Sequence, residues 1–413
     1  MQKINKNKRT VILNIGTGKF FLHQTAEVLS DLGLLAGSIS GIVKLPRILS
    51  LLKLKNFAKL QRLQNRMSAL DQDVKQIQVL SGEFYWQIAT FLAKFKTLQS
   101  HSRFFYFFAA RRFDIAAQKF ITKNFNSPDF IYHFRAGFGG DSIKLAKELG
   151  IKTICDHSIT HPNYNWWTKE SLKTKAFNRF DISNLILNDI NEAEHLIVNS
   201  VFVANTFRIC GDMRPLNIMT PPIDKKFLSS VVIEKRSTRE GVTFVGKCEF
   251  RKGIDVLTEI IMNLPPEMSV NVIGAWSPEA AVYYARLKEK SNVNILPYQS
   301  ANEVARILRQ SLVFLFPSRA EGSARVVGEA MHMGCIPLIT RASGVPIKPE
   351  SGYLIDDLNP AEVANLILEI STNIKKQLTM SQLAKVTIHE IENSYYPKLT
   401  KLYEVINNGY LND

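Results

Sequence analysis

The apolar run Leu312-Val313-Phe314-Leu315-Phe316, closed by Pro317, constrains this chain more than any other stretch. It leads into Ser318-Arg319-Ala320-Glu321-Gly322-Ser323-Ala324-Arg325-Val326-Val327-Gly328-Glu329-Ala330-Met331. A short, continuously apolar segment of this kind reads as a strand buried on both faces, and the stretch from Ala324 reads as a helix. A strand–turn–helix junction leaves backbone N–H groups unpaired at the helix start, where the helix dipole favours an anion such as a phosphate. Glu321 falls in the turn, and Glu329 falls inside the helix, roughly 8 Å further along its axis. Two glutamates in a helical region are ordinarily solvated charges. Here the strand before them, the Gly-Ser turn and the run on to Gly334-Cys335-Ile336-Pro337 point to a ligand with hydroxyls at both ends and phosphates between. A nucleotide-sugar has that shape.

The rest of the chain repeats the same unit. Val11 to Ile15 is a short strand, followed by the turn Gly16-Thr17-Gly18-Lys19 and a helical pattern from Phe21 to Leu34. That turn lacks the third glycine of a dinucleotide fingerprint. Further strands are expected at Phe130–Phe134, Lys152–Cys155 and His195–Val198, ending near His133, at Asp156-His157 and at Asn199-Ser200. A second series comprises Val242–Val245, 269–274, Val293–Leu296, Leu312–Phe316 and Ile336–Ile339. Strands alternating with helices imply parallel sheets covered by helices. Pro215, Pro221-Pro222 and the polar run Glu234 to Glu240 mark a linker. The chain therefore divides into a first domain (1–215) with a basic insertion at about 42–112, a linker (216–240), a second domain (241–385) and a terminal helix (386–413). Ligands of such sheets sit beyond the carboxyl ends of the strands, here the cleft between two facing domains.

A chain of 413 residues is too long for one ordinary core, and 46% hydrophobic with 22% charged residues are globular values. There is no apolar run long enough to span a bilayer and no signal peptide, so the expected location is cytoplasmic. Cys155, Cys210, Cys248 and Cys335 are scattered without metal-type spacing and read as reduced thiols. The net charge of +15 calls for an anionic partner. It is uneven: no acid lies between Asp31 and Asp71, where Lys44, Arg47, Lys53, Lys55, Lys59, Arg62 and Arg66 fall. Residues 42–66 are amphipathic, and either an anionic membrane surface or the protein core fits their apolar face. Phe104-Phe105-Tyr106-Phe107-Phe108, followed by Arg111-Arg112, leaves the same two readings open. The aromatics fall in no nucleic-acid recognition motif. The Asp71-Gln72-Asp73 pattern reads as a solvated, helical face, and His157 and His161 lack a third ligand, so no metal is expected.

The strand that opens the second domain ends in Gly246-Lys247-Cys248-Glu249-Phe250-Arg251-Lys252-Gly253-Ile254-Asp255. Gly246 lets the backbone approach a ligand, and Lys247 and Lys252 place two cations at the mouth of the strand. Together with Glu321 and Glu329 in the same sheet, this reads as a diphosphate site.

The G-K-x4-K-G turn, the Glu-x7-Glu segment and the run from Ala330-Met331 to Pro337 resemble the donor-binding half of the retaining glycosyltransferases of family 4. The resemblance is dense from about residue 242 to 370 and thinner before it. It implies an α/β architecture of two facing Rossmann-like domains (the GT-B fold) and transfer of a hexose from a nucleotide-diphosphate-sugar to a glycan or lipid-linked acceptor. It implies that Glu321 contacts the transferred sugar and that Glu329 holds the ribose. The amides of Gly322, Ser323, Ala324, Arg325 and Val326 would bind phosphate, with Gly246 and Gly274 lining the donor site. Lys247 and Lys252 would neutralise the leaving diphosphate, and His157 and Gly18 would lie on the acceptor side. No cofactor and no metal is implied. Ser323 stands where the family usually carries a bulky residue, the Ser343–Glu350 loop is short, and Pro222-Ile223-Asp224 replaces a frequent Asn-Gly-Val-Asp. Two other readings share the architecture: a sugar-nucleotide epimerase, for which the expected carboxylates and histidines are not found, and a non-catalytic sugar- or partner-binding homologue.

Overall fold

The computed structural model describes residues 9–17, 21–41, 70–71, 73–93, 95–164, 183–223, 227 and 239–408. Two parallel sheets carry the chain. The first has strands β1 (Val11–Gly16), β2 (Leu35–Ser40), β3 (Lys75–Gln78), β4 (Ile131–Arg135), β5 (Lys152–His157), β6 (His195–Val198) and β7 (Asn217–Ile218), ordered β3-β2-β1-β4-β5-β6-β7. The second has β8 (Glu240–Val245), β9 (Val270–Ile273), β10 (Val293–Leu296), β11 (Ser311–Phe316), β12 (Ile336–Ile339) and β13 (Tyr353–Leu354), ordered β10-β9-β8-β11-β12-β13. Both orders are those of doubly wound Rossmann-like sheets, each with a crevice where the winding reverses: between β1 and β4, and between β8 and β11.

Every residue of β11 is buried, as a central parallel strand requires. In β1 the two faces separate with period two. Val11, Leu13 and Ile15 pack on one side of the sheet, and Ile12 packs on the other. Helix α1 (Leu22–Asp31) covers the first of these faces, and α3 (Gln99–Asn124) covers the second. An antiparallel partner, α2 (Leu80–Leu92), packs along α3. The expected helix at residues 42–66 lies outside the described residues. Asp71 and Asp73 sit in the turn before β3 rather than on a helix, and Arg9 pairs with Asp71 at 2.5 Å.

Within the stretch read as linker (216–240), residues 217–218 form β7 and extend the first sheet. The terminal helix is longer than its sequence pattern suggests, running from Ile374 to Asn408 with Pro397 inside it. Its Met380, Ala384 and Ile388 belong to the core of the second domain, whereas Tyr395, Leu399, Tyr403 and Ile406 complete that of the first. There the Tyr403 hydroxyl meets Nδ1 of the fully buried His133 at 2.8 Å, and Nε2 of His133 lies 3.6 Å from Asp156. Tyr403→Phe would strand a buried nitrogen. It is expected to lower unfolding stability by about 1–3 kcal/mol in urea titration. An unchanged midpoint would show that this bond contributes nothing.

Candidate active site in the interdomain cleft

The crevice between β8 and β11 assembles the two sequence segments singled out above. After β8 the chain turns through Gly246 to Glu249, a short 3-10 helix (Phe250–Lys252) and Gly253, then enters α7 (Ile254–Met262; helices are numbered in chain order). Gly253 has φ +71, and a Cβ there would lie 1.9 Å from the Pro317 carbonyl oxygen. Only glycine lets this turn touch the end of β11. The contact brings Lys252 Nζ to 2.5 Å from Glu321 Oε1. The same oxygen accepts from Arg251 at 2.8 Å and from Ser318 Oγ at 2.9 Å. Three donors thus fix the Glu321 carboxylate. Burial holds the Lys252 ammonium below the usual lysine range, and the Glu321 charge opposes that shift.

Lys247 bonds Glu249 at 2.6 Å, and Arg251 approaches Glu249 at 3.2 Å. Lys247, Arg251 and Lys252 against Glu249 and Glu321 leave one net positive charge for a ligand. Around this network, Arg319 grips both oxygens of Asp255 at 2.7 Å and the Phe250 carbonyl at 2.7 Å, tying the two loops together. Sequence pattern did not single out Arg251, Ser318, Arg319 or Glu249 as site residues. Only the adjacency of Arg251 and Glu249 to the lysines signalled them.

Helix α10 (Arg325–His332) starts two residues after Ser323, and its cap residue Ala324 offers no side-chain oxygen to the first-turn amides. The turn is braced by the loop after β12: Glu321 N donates to Ala342 O at 3.0 Å, and Ala324 N to Ser343 O at 2.8 Å. The Ala324 amide, expected among the phosphate binders, is therefore already engaged. Glu329 lies half-buried one turn into α10. Gly274 closes the floor, because a Cβ there would sit 1.8 Å from the Gly246 oxygen.

The first domain touches this site directly. A Cβ on Gly322 would lie 1.7 Å from the Ser158 carbonyl oxygen, and one on Gly344 would lie 2.9 Å from Ser200 Oγ. His157, the neighbour of Ser158, ends β5 and is buried. Its Nε2 lies 3.1 Å from the Thr160 carbonyl, which only accepts, so that nitrogen carries the proton. The ring meets Phe207 edge-on at 5.5 Å. The structure thus brings His157 and the Glu321 turn together across the cleft.

Burial pushes the His157 imidazole down to about 4. The ring is neutral in the folded chain at pH 7, and between about 6.5 and 4 the unfolded chain binds the extra proton. Its contribution to stability is therefore present above pH 6.5 and is lost as pH falls towards 4. Asp189, pushed up to about 6 by burial, acts oppositely in part of this window, so the comparison must be with a variant. Wild type is expected to lose more melting temperature than His157→Asn on acidification. Parallel pH profiles would contradict the neutral, buried ring.

On the first sheet's own crevice, Thr17 follows β1 and Arg135 ends β4. Arg135 donates to the Thr17 carbonyl at 2.8 Å, and the Thr17 hydroxyl bonds the buried Glu83 of α2. Neither Arg135 nor Glu83 was apparent from sequence spacing. Gly18 lies outside the described residues. His161 packs on Phe207, and its Nδ1 accepts from Asn163 N.

The profile of the family described as Glycosyl transferases group 1 matches residues 226–387. Residues 226–387 thus form a glycosyl transferases group 1 domain. Over 146 residues the chain is 27% identical to an uncharacterized glycosyltransferase of Methanocaldococcus jannaschii, covering 34% of this chain and 41% of that protein. Over 203 residues it is 25% identical to D-inositol 3-phosphate glycosyltransferase of Segniliparus rotundus, covering 43% and 45%. The matched regions span less than half the length of these relatives. Across 97% of this chain and 100% of the other, the fold resembles sucrose-phosphate synthase of Thermosynechococcus elongatus, with TM-score 0.68 and 14% identity. Across 95% and 100% it resembles Anabaena HepE in complex with UDP and glucose, with TM-score 0.57 and 13% identity. The two-sheet architecture is the GT-B fold, as the sequence resemblance implied.

Proposed function

We propose that this chain is a retaining glycosyltransferase that moves a hexose from a nucleotide-diphosphate-sugar to a glycan or lipid-linked acceptor. The observation that carries the reading is the Glu321 carboxylate, fixed by Arg251, Lys252 and Ser318 beside the uncapped start of α10 and against the His157 strand end. In this reading the diphosphate lies over the first amides of α10 and beside Lys252 and Lys247. Glu329, further along the helix, takes the ribose hydroxyls, and Glu321 takes hydroxyls of the sugar. HepE's complex with UDP and glucose makes a UDP-hexose the first donor to test.

The anomeric carbon–oxygen bond breaks towards the diphosphate, and an acceptor hydroxyl oxygen forms the new bond on the same face. The acceptor's proton passes to the departing phosphate oxygen. The protein's contribution is electrostatic: cations and helix amides already in place meet the charge that develops on the leaving group. A neutral His157 with its Nε2 proton held by Thr160 orients polar groups of the reacting sugar without adding charge. The scheme needs no metal ion. The deciding measurement is a panel of UDP-, GDP- and ADP-hexoses with product detection by mass spectrometry. Transfer from at least one supports the reading, and inversion at the anomeric carbon would refute the retaining step.

A further inference from the structure

We propose that the α2–α3 hairpin docks the first domain onto an anionic phospholipid surface. Large apolar side chains are exposed along it: Leu80, Phe84 (62% exposed), Phe91, Phe95, Phe104 (58%), Phe107 and Phe108. With about 100 Å² left open on each, the patch amounts to roughly 700 Å², above the few hundred that a soluble surface normally tolerates. Its centre is continuous: Phe84 lies 5.9 Å from Tyr85, which stacks on Phe105 at 6.1 Å and lies 5.6 Å from Phe108, itself 4.6 Å from Phe104, while Phe91 and Phe95 form a second pair at 5.4 Å.

Charge identifies the occupant. The two acids of these helices, Glu83 and Asp114, are both buried, whereas Arg103, Arg111, Arg112, Lys119 and Lys123 are exposed. Phe104, Phe108 and Arg112, spaced by four residues, share one face of α3. Arg111 is held by Asp114 at 2.9 Å and by the exposed Asp141 at 2.8 Å, so Arg103, Arg112, Lys119 and Lys123 carry the excess positive charge. An aromatic face with such a cationic excess beside it matches the boundary between headgroups and acyl chains of an anionic leaflet. The chain's net charge of +15 has the same sign.

Position gives the surface a use. Residues 113–121 of α3 belong to the first domain's main core, but Ala89, Tyr106 and Ala110 form a separate small cluster with Trp86, Phe105 and Leu185. The hairpin therefore extends past the carboxyl ends of the strands, where Glu83 meets Thr17. Beside it lies a cavity of about 240 Å³, lined by Phe107, Phe138 and Leu185 together with Arg111 and Asp189. The inference deepens the lipid-linked acceptor reading and rests on it for its purpose, but its test reads binding and not transfer.

The test is co-sedimentation of the full chain with vesicles of equal parts phosphatidylglycerol and phosphatidylcholine, beside vesicles of phosphatidylcholine alone. Binding is expected only to the anionic vesicles and is expected to weaken with added salt. Phe104→Ser with Phe108→Ser, and separately Arg103→Glu with Arg112→Glu, should each weaken partitioning at least tenfold. Their melting temperatures and UDP binding should stay as in wild type, which separates lost docking from lost folding. Equal binding to neutral vesicles, or undiminished binding by both variants, overturns the proposal. So does light scattering that shows a wild-type dimer split by the phenylalanine substitutions, because the patch would then face a second copy. A wild-type chain that transfers to a soluble acceptor but binds no anionic vesicle refutes docking alone. The reverse pattern refutes the transferase reading alone.

Discussion

Lys252→Ala and Glu321→Gln are each expected to lower kcat by on the order of 10²- to 10³-fold, the cost of removing one preorganised charge from a transition state. Lys252 Nζ and Glu321 Oε1 are 2.5 Å apart and both side chains are nearly buried, so neither charge is screened by bulk water. Without Lys252 the proposed diphosphate site loses one of its cations, and Glu321 keeps Arg251 and Ser318. Without the Glu321 charge, Lys252 loses the partner that offsets its burial. Because the two act as a unit, the double variant should be little worse than the poorer single one. Steady-state turnover of all three variants with the identified donor checks this. Wild-type turnover in either single variant would remove the pair from the mechanism.

Gly322→Ala should act on closure. The added Cβ would meet the Ser158 carbonyl at 1.7 Å, and a backbone atom cannot swing aside as a side chain can. Each domain keeps its own core, so melting temperature should hold, while the cleft is wedged open by a fraction of a bond length to an ångström or so. Misplacement on that scale costs about 10²-fold in a reaction that depends on alignment across the cleft. The expected result is near-normal UDP binding, a kcat about two orders of magnitude lower, and a larger radius of gyration in solution scattering. Normal kcat would mean that the Gly322–Ser158 contact does not belong to the reacting conformation.

The crevice between β8 and β11 was largely legible because each piece announces itself locally. An apolar run gave β11, a proline closed it, and the Gly-Lys turn after β8 followed from the same logic. The first sheet was less so. Residues 35–40 read Leu-Ala-Gly-Ser-Ile-Ser, with no β-branched run and no clean alternation, and β2 went unseen. The structure explains the composition: a Cβ at Gly37 would lie 2.8 Å from Phe125 and 2.9 Å from Phe120, so α3 packs where only hydrogen fits. Glu83 and Arg135 were illegible for a different reason. They meet at Thr17 from segments 66 and 118 residues away, and no local periodicity encodes such a meeting. The brace of Arg319 on Asp255 belongs to the same class, since an exposed-looking arginine acquires its role only when two loops converge.

The single helix from Ile374 to Asn408 has a consequence for anyone recombining such proteins. Because its first half completes one core and its last turns complete the other, the second domain is not a removable cassette with one junction. A chimera that imports a new sugar specificity must cut twice, in the linker and again between Ile388 and Tyr395, and so return the tail to the recipient along with its Tyr403–His133 bond. Grafts made at the linker alone would give the first domain a foreign lid over its sheet, and would fail by insolubility before any question of sugar preference arose.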